Sequence, residues 1–162
     1  MSENDTKQSL WPRIRGKLFH WYFLFKRPMT LGVRAFVFDE ANNSVFLIRH
    51  TYVPGWQMPG GGVETGETFG ECLAKELSEE GNIVLTGEPR LFALYFNRKT
   101  SKRDHVALYV CKDFIQTKPK LPDHEIAESG FFKLDALPEG TTAATRRRIT
   151  EVMQNLSPPQ DW

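Results

Sequence analysis

Hydrophobic residues follow helical spacing near both ends of the chain and form strand-like runs between them. Apolar and aromatic residues recur at near-helical intervals over residues 10–25, and Pro28 marks the end of this predicted helix. Residues 31–38 and 44–50 are short runs rich in valine, isoleucine and phenylalanine, separated by turn-forming residues at 39–43. We expect these two runs to pair as a β-hairpin.

The rest of the pattern predicts helices and strands in one mixed domain. Residues 68–80 contain no proline and a single glycine, Gly70, and predict a helix that ends at Asn82, because asparagine tolerates left-handed geometry. The remaining predicted elements are strands at 83–96, 105–112 and 131–134 and a closing helix at 145–156. We expect one α/β domain over residues 10–156, with helices packed on a sheet, between tails at 1–9 and 157–162.

The composition is that of an ordinary globular protein and excludes several functional classes. The chain has 162 residues, of which 40% are hydrophobic and 25% charged, and its formal net charge is +1. These values argue against a disordered chain and against a strongly basic DNA-binding protein. Cys72 and Cys111 are too few and too far apart for a disulfide framework or a zinc knuckle, so we expect both in the core. Without a signal-peptide pattern or a run of about 20 apolar residues, we expect a soluble cytoplasmic protein.

The predicted N-terminal helix leaves several roles open. Aromatic residues such as Trp11 and Trp21 are interleaved with the basic residues Arg13, Arg15 and Lys17. This combination occurs in amphipathic helices on membrane surfaces, but also in helices that pack across a domain or a subunit interface. We expect no stable membrane association, and a homodimer contact or a lid remains open.

The acidic residues of the second predicted helix occupy an unexpected face. Glu76, Glu79 and Glu80 are spaced i, i+3 and i+4 and therefore share one side of the helix. At about 100° per residue, Glu76 and Glu80 project within roughly 20° of Phe69, where the expected apolar stripe begins. Carboxylates gathered near a hydrophobic core repel one another and lose hydration. A divalent cation would neutralise them, and local lysine partners such as Lys75 are the alternative.

Residues 56–62 are predicted to form a glycine-rich loop, the glycine loop, before this helix. Loop and helix together complete a longer pattern that resembles the Nudix box. That signature is Gly-x5-Glu-x7-Arg-Glu-U-x-Glu-Glu-x-Gly-U, where U is a bulky aliphatic residue. The residues that fall in register are Gly61, Glu67, Glu76, Leu77, Glu79, Glu80 and Ile83. Two flanking segments also resemble the family, Trp-Gln-Met-Pro-Gly-Gly at 56–61 and a late strand and turn at 131–138. The resemblance covers roughly residues 30–138.

Similarity to the Nudix family implies a fold, a reaction and a cofactor. The implied fold is a Nudix-like α/β/α sandwich with a mixed sheet, in which the box forms a loop–helix–loop. The implied reaction is hydrolysis of a pyrophosphate bond in a nucleoside diphosphate linked to another group, by in-line attack of a metal-activated water. The substrate class includes nucleotide sugars, ADP-ribose, dinucleoside polyphosphates and nucleoside triphosphates. The implied ligands of Mg²⁺ or Mn²⁺ are the backbone carbonyl of Gly60 and the side chains of Glu76, Glu79 and Glu80.

Two positions depart from the Nudix signature. Lys75 stands in the arginine position and Asn82 in that of the last glycine. By the resemblance, Glu67 pairs with Lys75 and, together with Gly61, supports the site. Lysine offers a point charge on a flexible stem where arginine offers a planar fork. This difference leaves a second hypothesis open, a nucleotide-binding Nudix sensor without turnover.

Candidates for the remaining roles include residues outside the box. Glu76 and Glu79 are the first candidates for the base that accepts the water's proton. Some family members take this base from a later loop, where the candidates are Glu125 and Glu128.

Arg34, Arg49, Trp56 and Glu128 are candidates for substrate binding. The arginines lie on strands that lead toward the box and could bind phosphates through bidentate hydrogen bonds. Trp56 could stack on a base, although aromatic residues at strand spacing are more often core residues.

The expected partner is a small-molecule nucleotide, and no DNA is expected. Four basic residues within 98–103 leave an RNA 5′ end as a lesser alternative. The four histidines, His20, His50, His105 and His124, are scattered along the chain, and the sequence singles out none of them as a ligand.

Overall fold

The computed structural model describes residues 11–162. Its elements, in chain order, are helix α1 (Trp11–Lys26), strands β1 (Thr30–Asp39), β2 (Ser44–His50) and β3 (Trp56–Gln57), helix α2 (Phe69–Gly81), strands β4 (Ile83–Leu85), β5 (Arg90–Phe96), β6 (Asp104–Cys111), β7 (Phe114–Gln116) and β8 (Ile126–Lys133), and helix α3 (Ala143–Met153). None of the described helices combines the length and the apolar character needed to cross a membrane.

Six strands form the central sheet, in which β3, β2, β1, β6 and β5 follow in that order and β8 pairs with β2. Strands β1 and β6 run parallel, with residues 30–37 in register with 104–111, whereas the other pairs of this sheet are antiparallel. The hairpin of β1 and β2 is confirmed by the pairing of Phe38 with Val45. The predicted mixed sheet is therefore also confirmed.

The two faces of the sheet carry separate hydrophobic cores, because side chains alternate along each strand. Val33, Ala35 and Val37 of β1 face α2 and pack with the core that includes Leu73 and Leu77. Phe36 and Phe38 face the opposite side, where Ile149 of α3 closes the second core. One helix on each face of a mixed sheet is the α/β/α sandwich that the resemblance to the Nudix family implies.

The predicted strand 83–96 is wrong as a single element. It consists of β4 and β5, and β4 pairs with β7 in a separate two-stranded sheet. The break falls at residues 86–89, where Pro89 cannot donate a ladder hydrogen bond and Gly87 lies so close to Asp113 that a Cβ would come within 2.7 Å of its side chain.

Three other elements differ in extent from the sequence prediction. Residues 56–57, predicted within a loop, form the short strand β3. The late strand begins at Ile126 instead of Phe131. The sequence prediction was too short because polar residues in the first half of the strand hide the alternation of apolar positions. The closing helix ends at Met153 instead of Leu156.

The last three residues, within the segment that the sequence predicts to be a tail, lie against the end of β5. The backbone N–H of Phe96 donates to the carbonyl of Gln160 (2.8 Å), and the N–H of Trp162 donates back to Phe96 (3.1 Å). The indole of Trp162 packs edge-on against Tyr95, with ring centroids 5.3 Å apart. These contacts place Trp162 at the margin of the second core.

Helix α1 forms over nearly the predicted range, and the aromatic side chains described in its second half are largely exposed. Phe19, Trp21, Tyr22 and Phe25 all lie in this class. Neither hydrophobic core includes a described residue of α1. Cys72 and Cys111, in contrast, are fully buried free thiols, as predicted, and burial raises the pKa of both to about 12.

Candidate active site

The glycine loop is fixed against the edge of β1 by backbone hydrogen bonds. Ala35 N–H donates to the carbonyl of Pro59 (2.9 Å), and Val33 N–H donates to the carbonyl of Gly61 (2.9 Å). Val63 N–H completes the series by donating to Leu31 (2.8 Å). The loop is therefore held like an additional short strand directly beside the carboxylates of α2.

Gly60 adopts a conformation that only glycine allows at this place. Its φ is +137°, and a Cβ would lie 2.1 Å from the carbonyl oxygen of Val33. The carbonyls of Pro59 and Gly61 are used by β1, whereas among residues 11–162 no hydrogen-bond donor reaches the carbonyl of Gly60. This carbonyl is the backbone oxygen that the resemblance assigns to the cation.

Both ends of α2 are capped by local interactions. Thr68 and Glu71 form a capping box, in which the Thr68 hydroxyl accepts from Glu71 N–H (3.2 Å) and the Glu71 carboxylate accepts from Thr68 N–H (2.8 Å). At the other end Asn82 takes the left-handed conformation (φ 51°, ψ 34°) expected of it. These caps fix the rotation and length of the helix that carries the acidic residues.

Glu80 is the most buried carboxylate of the box, with 4% of its surface exposed. Its Oε2 accepts a hydrogen bond of 2.6 Å from Gly60 N–H. Burial raises the pKa of Glu80 to about 8, against the lowering effects of the Gly60 hydrogen bond and the nearby Arg34. The expectation that this acid lies on the core side of α2 is confirmed.

Glu76 lies beside Glu80 on the same side of the helix and is half-buried. Burial raises its pKa, and the negative charge of Glu79 raises it further. A Cβ on Gly61 would lie 2.2 Å from Glu76 Oε1, so only a glycine leaves room for this carboxylate in its present position. Glu79 itself is exposed at the helix surface.

Lys75 contacts the acids of the loop and not those of the helix. Its Nζ lies 2.9 Å from Glu67 Oε1 and 3.6 Å from Glu64 Oε1. Glu67 also accepts from Glu64 N–H (2.9 Å), so the pair joins α2 to the preceding loop. Lys75 therefore forms its ion pair with the loop acids, and toward the helix carboxylates only its charge acts, by lowering the pKa of Glu76.

A histidine that the sequence does not single out lies against Glu80. His50 Nε2 is 3.6 Å from Glu80 Oε1, and one ligand atom each from His50, Glu80 and Glu125 lie within 4.8 Å of one another. Burial lowers the pKa of His50, and the positive charge of Arg34 lowers it further. The alternation along β2 is the available sequence signal, because it places His50 on the same face as the buried Phe46 and Ile48.

Glu125, one candidate for a later base, belongs to this group, whereas Glu128 does not. The hydroxyl of Tyr52 donates to Glu125 Oε1 at 3.0 Å. Glu128 instead accepts from the Arg49 guanidinium at 2.7 Å, and both side chains of this pair are about half exposed. The structure therefore brings one of the two late acids to the box.

The remaining predicted substrate residues are placed differently. Arg34 is half-buried, donates to the carbonyl of Met58 (2.9 Å) and lines a cavity beside the glycine loop. Trp56 is a core residue that packs edge-on against Phe132, with ring centroids 4.8 Å apart. This placement gives Trp56 a structural role and does not favour stacking on a base.

The cavity next to the glycine loop has a volume of about 560 Å³. Its walls come from the start of β1, the loop at 61–62, the β5–β6 loop and the N-terminal end of α3. Lys99 and Arg147 line it together with Arg34. Sequence reasoning missed Arg147, because its position at the cavity follows from the packing of α3 and not from a local motif.

The donor set suits a hard divalent cation. The box contributes several carboxylates, of which Glu80 is buried and Glu76 is half-buried. The Gly60 carbonyl adds an oxygen that accepts no hydrogen bond from the described residues. Carboxylate and carbonyl oxygens are the ligands that Mg²⁺ and Mn²⁺ take in proteins. The arrangement can therefore hold a cation next to a cavity large enough for a nucleotide.

Comparisons with known proteins give one family match and several similar folds. A NUDIX domain family model matches residues 28–153. The fold is similar to a MutT NUDIX hydrolase from Burkholderia pseudomallei, with 24% identity, a TM-score of 0.64, and coverage of 76% of this chain and 97% of that one. An ADP-ribose pyrophosphatase from Streptococcus suis has 25% identity, a TM-score of 0.61, and coverage of 77% and 92%. A UDP-X diphosphatase has 21% identity, a TM-score of 0.61, and coverage of 96% and 86%. No curated protein matches the sequence.

Proposed function

The chain belongs to the NUDIX domain family and is a Nudix-type nucleotide pyrophosphohydrolase, and from that premise we propose that it hydrolyses a nucleoside diphosphate linked to another group in a reaction that requires Mg²⁺ or Mn²⁺. The observation that carries this proposal is the burial of Glu80 against the glycine loop. A carboxylate with a pKa raised to about 8 needs a positive charge to remain ionised at neutral pH.

Glu76, Glu79, Glu80 and the Gly60 carbonyl are the residues proposed to hold the cation. A bound divalent cation supplies charge neutralisation of the phosphate oxygens and lowers the pKa of water. Gly60 N–H orients Glu80 through its 2.6 Å hydrogen bond. The Lys75–Glu67 pair keeps the loop and the helix in one arrangement.

Glu76 is the residue we propose as the general base. It is half-buried beside the glycine loop, and its raised pKa makes its carboxylate a stronger proton acceptor near neutral pH. Glu79 is exposed at the helix surface, farther from the low-dielectric part of the site. Glu125 is the alternative base, since it lies near Glu80 and its carboxylate is oriented by Tyr52.

The nucleotide is proposed to occupy the cavity beside the glycine loop. Its volume of about 560 Å³ lies within the range of small-molecule sites. Arg34 lines this cavity and is close enough to Glu76 and Glu80 to lower their pKa values. It is therefore placed to bind a phosphate next to the carboxylates. Arg49 would first have to leave its ion pair with Glu128.

Product release from a panel of nucleotides tests this function. ADP-ribose, a UDP-sugar, a dinucleoside polyphosphate, the nucleoside triphosphates and an RNA with a 5′-triphosphate are each incubated with Mg²⁺ or Mn²⁺. We expect turnover of at least one nucleoside diphosphate derivative, lost in Glu80→Gln and retained in Glu88→Gln, whose carboxylate is exposed. Nucleotide binding without product, by the wild type and by Lys75→Arg alike, would instead favour the sensor hypothesis.

A further inference from the structure

His50 is a buried histidine whose Nδ1 makes no hydrogen bond of normal geometry within the described part of the chain, although the Glu125 backbone is near enough to act on the pKa of the imidazole. Its side chain is 7% exposed, and its Nε2 is 3.6 Å from Glu80 Oε1. That distance is beyond the normal range of a hydrogen bond. An imidazole without a hydrogen bond of normal geometry beside a buried carboxylate is unfavourable in low dielectric.

Glu125 approaches the same place from the segment before β8. Tyr52 O–H donates to its carboxylate at 3.0 Å, and Thr51 N–H donates to its backbone carbonyl at 2.9 Å. The residues that follow His50 in the chain thus hold Glu125 beside it. Histidine and carboxylate ligands in metal sites are commonly oriented by such outer contacts.

The distances within the group suit one cation. Around an ion with bonds of about 2.1 Å, neighbouring ligand atoms lie about 3 Å apart and opposite ones about 4.2 Å. The His50–Glu80 separation of 3.6 Å and the overall limit of 4.8 Å come close to these values. The three ligand atoms are therefore close enough to share one cation.

We propose that His50, Glu80 and Glu125 form a mixed nitrogen–oxygen cation site that selects a first-row transition ion such as Mn²⁺ over Mg²⁺. The inference rests on the proposed function in that it shares Glu80, and it adds the two ligands that the box does not contain. Two carboxylates and a neutral imidazole balance a divalent charge. Imidazole nitrogen favours transition ions, whereas Mg²⁺ prefers oxygen ligands and retains its water.

Magnetic resonance of bound Mn²⁺ tests the nitrogen ligand directly. The full chain is labelled with ¹⁵N-histidine, loaded with Mn²⁺, and examined by electron–nuclear double resonance. We expect a ¹⁵N coupling in the wild type and in the matched control His124→Gln, and its loss in His50→Gln. A wild type without this coupling, or a coupling that persists in His50→Gln, would overturn the proposal.

Competition between ions provides the second measurement. We expect His50→Gln to weaken Mn²⁺ binding by about tenfold or more while Mg²⁺ binding changes much less. If His50→Gln does not fold, Glu125→Gln replaces it, because this side chain is exposed and should also weaken Mn²⁺ binding. Equal losses for both ions in a folded His50→Gln, or undiminished Mn²⁺ binding by Glu125→Gln, would contradict the proposal.

The two proposals fail in different ways. Turnover of a nucleotide by a protein whose Mn²⁺ shows no histidine coupling would overturn the mixed site and leave the hydrolase intact. A histidine coupling in a protein that turns over none of the panel would support the mixed site and contradict the hydrolase.

Discussion

At the residue scale, the buried carboxyl of Glu80 links stability to pH and to metal. Its pKa rises from 4.5 to about 8 on folding because the side chain leaves water. Between these two values the folded state therefore binds more protons than the unfolded state. Without a cation, stability must fall as the pH rises through this window.

The first prediction concerns the metal-free protein. In EDTA, we expect the free energy of unfolding to decrease between pH 5 and pH 8, by an amount on the order of a few kcal/mol. Mn²⁺ should recover most of this loss at pH 8, because the cation takes the place of the proton. Urea denaturation at several pH values, with and without Mn²⁺, measures both effects.

Glu80→Gln is the control for this prediction, because glutamine is neutral at every pH. The variant should lose the part of the pH dependence that Glu80 causes and should gain little stability from Mn²⁺. A wild type that is as stable at pH 8 as at pH 5 in EDTA would contradict the buried, uncompensated carboxylate.

The second prediction concerns Lys75, which replaces the arginine of the Nudix signature. Lys75→Met removes the 2.9 Å contact with Glu67, and we expect kcat to fall by about tenfold or more, as is typical for residues that orient metal ligands. Lys75→Arg should retain activity, because a guanidinium reaches both Glu67 and Glu64. Equal activity of wild type and Lys75→Met would show that the pair does not position the site.

Single residues of the site differ in how far the sequence predicts them. The positions of Glu76 and Glu80 on the core side of α2 follow from helix geometry alone, because both residues lie on the same helix as the apolar stripe. His50 could not be found in this way, because its contact with Glu80 joins a strand end to a distant helix. Trp56 was ambiguous between core and ligand, and packing against Phe132 decided for the core.

At the element scale, the glycine loop and α2 form one unit in which the loop leaves space for a carboxylate. A Cβ on Gly61 would overlap Glu76 Oε1, whereas a Cβ on Gly62 would meet no atom within 4 Å. The two neighbouring glycines are therefore a matched pair for testing the loop. Neither has a positive φ, so backbone strain does not enter the comparison.

The third prediction follows from this pair. Gly61→Ala should reduce cation-dependent turnover strongly, because the methyl group displaces the end of the Glu76 side chain. Its thermal stability should change little, since a carboxylate tip can move more easily than backbone. Gly62→Ala should behave like the wild type in both assays, and a Gly61→Ala enzyme of normal activity would exclude the present position of Glu76 from the mechanism.

Elements were predicted well where the local pattern was regular. Helix α2 has a capping box, a clear apolar stripe and a left-handed residue at its end, and its limits agree within one residue. The run 83–96 was predicted as one strand although residues 86–89, Thr-Gly-Glu-Pro, already carry a local turn signal. Its division depends on the pairing of β4 with β7, which is a tertiary contact.

At the scale of the whole molecule, the two ends of the chain differ in their attachment. The described side chains of α1 lie outside both cores, whereas Trp162 packs on Tyr95 and on the guanidinium of buried Arg148. The sequence suggested the opposite emphasis, since it placed the N-terminal helix within the domain and the last residues in a tail.

The fourth prediction compares two truncations. Removal of residues 1–26 should leave the melting temperature nearly unchanged, because no described core contact is lost. Removal of residues 157–162 should cost about 2 kcal/mol or more, because it uncovers Tyr95 and Arg148 and removes the hydrogen bonds to β5. Thermal denaturation of both variants decides this, and an equal loss in each would contradict the difference in packing.

Hydrolysis in ¹⁸O-labelled water tests the central claim most directly. The substrate found in the nucleotide panel is incubated with Mn²⁺ or Mg²⁺, and the products are examined by mass spectrometry. We predict one ¹⁸O atom in the phosphate of one product, formed only with the cation and not by Glu80→Gln, because water attacks phosphorus in pyrophosphate hydrolysis. Label absent from every phosphate, or undiminished incorporation by Glu80→Gln, would contradict a pyrophosphohydrolase built on this buried carboxylate.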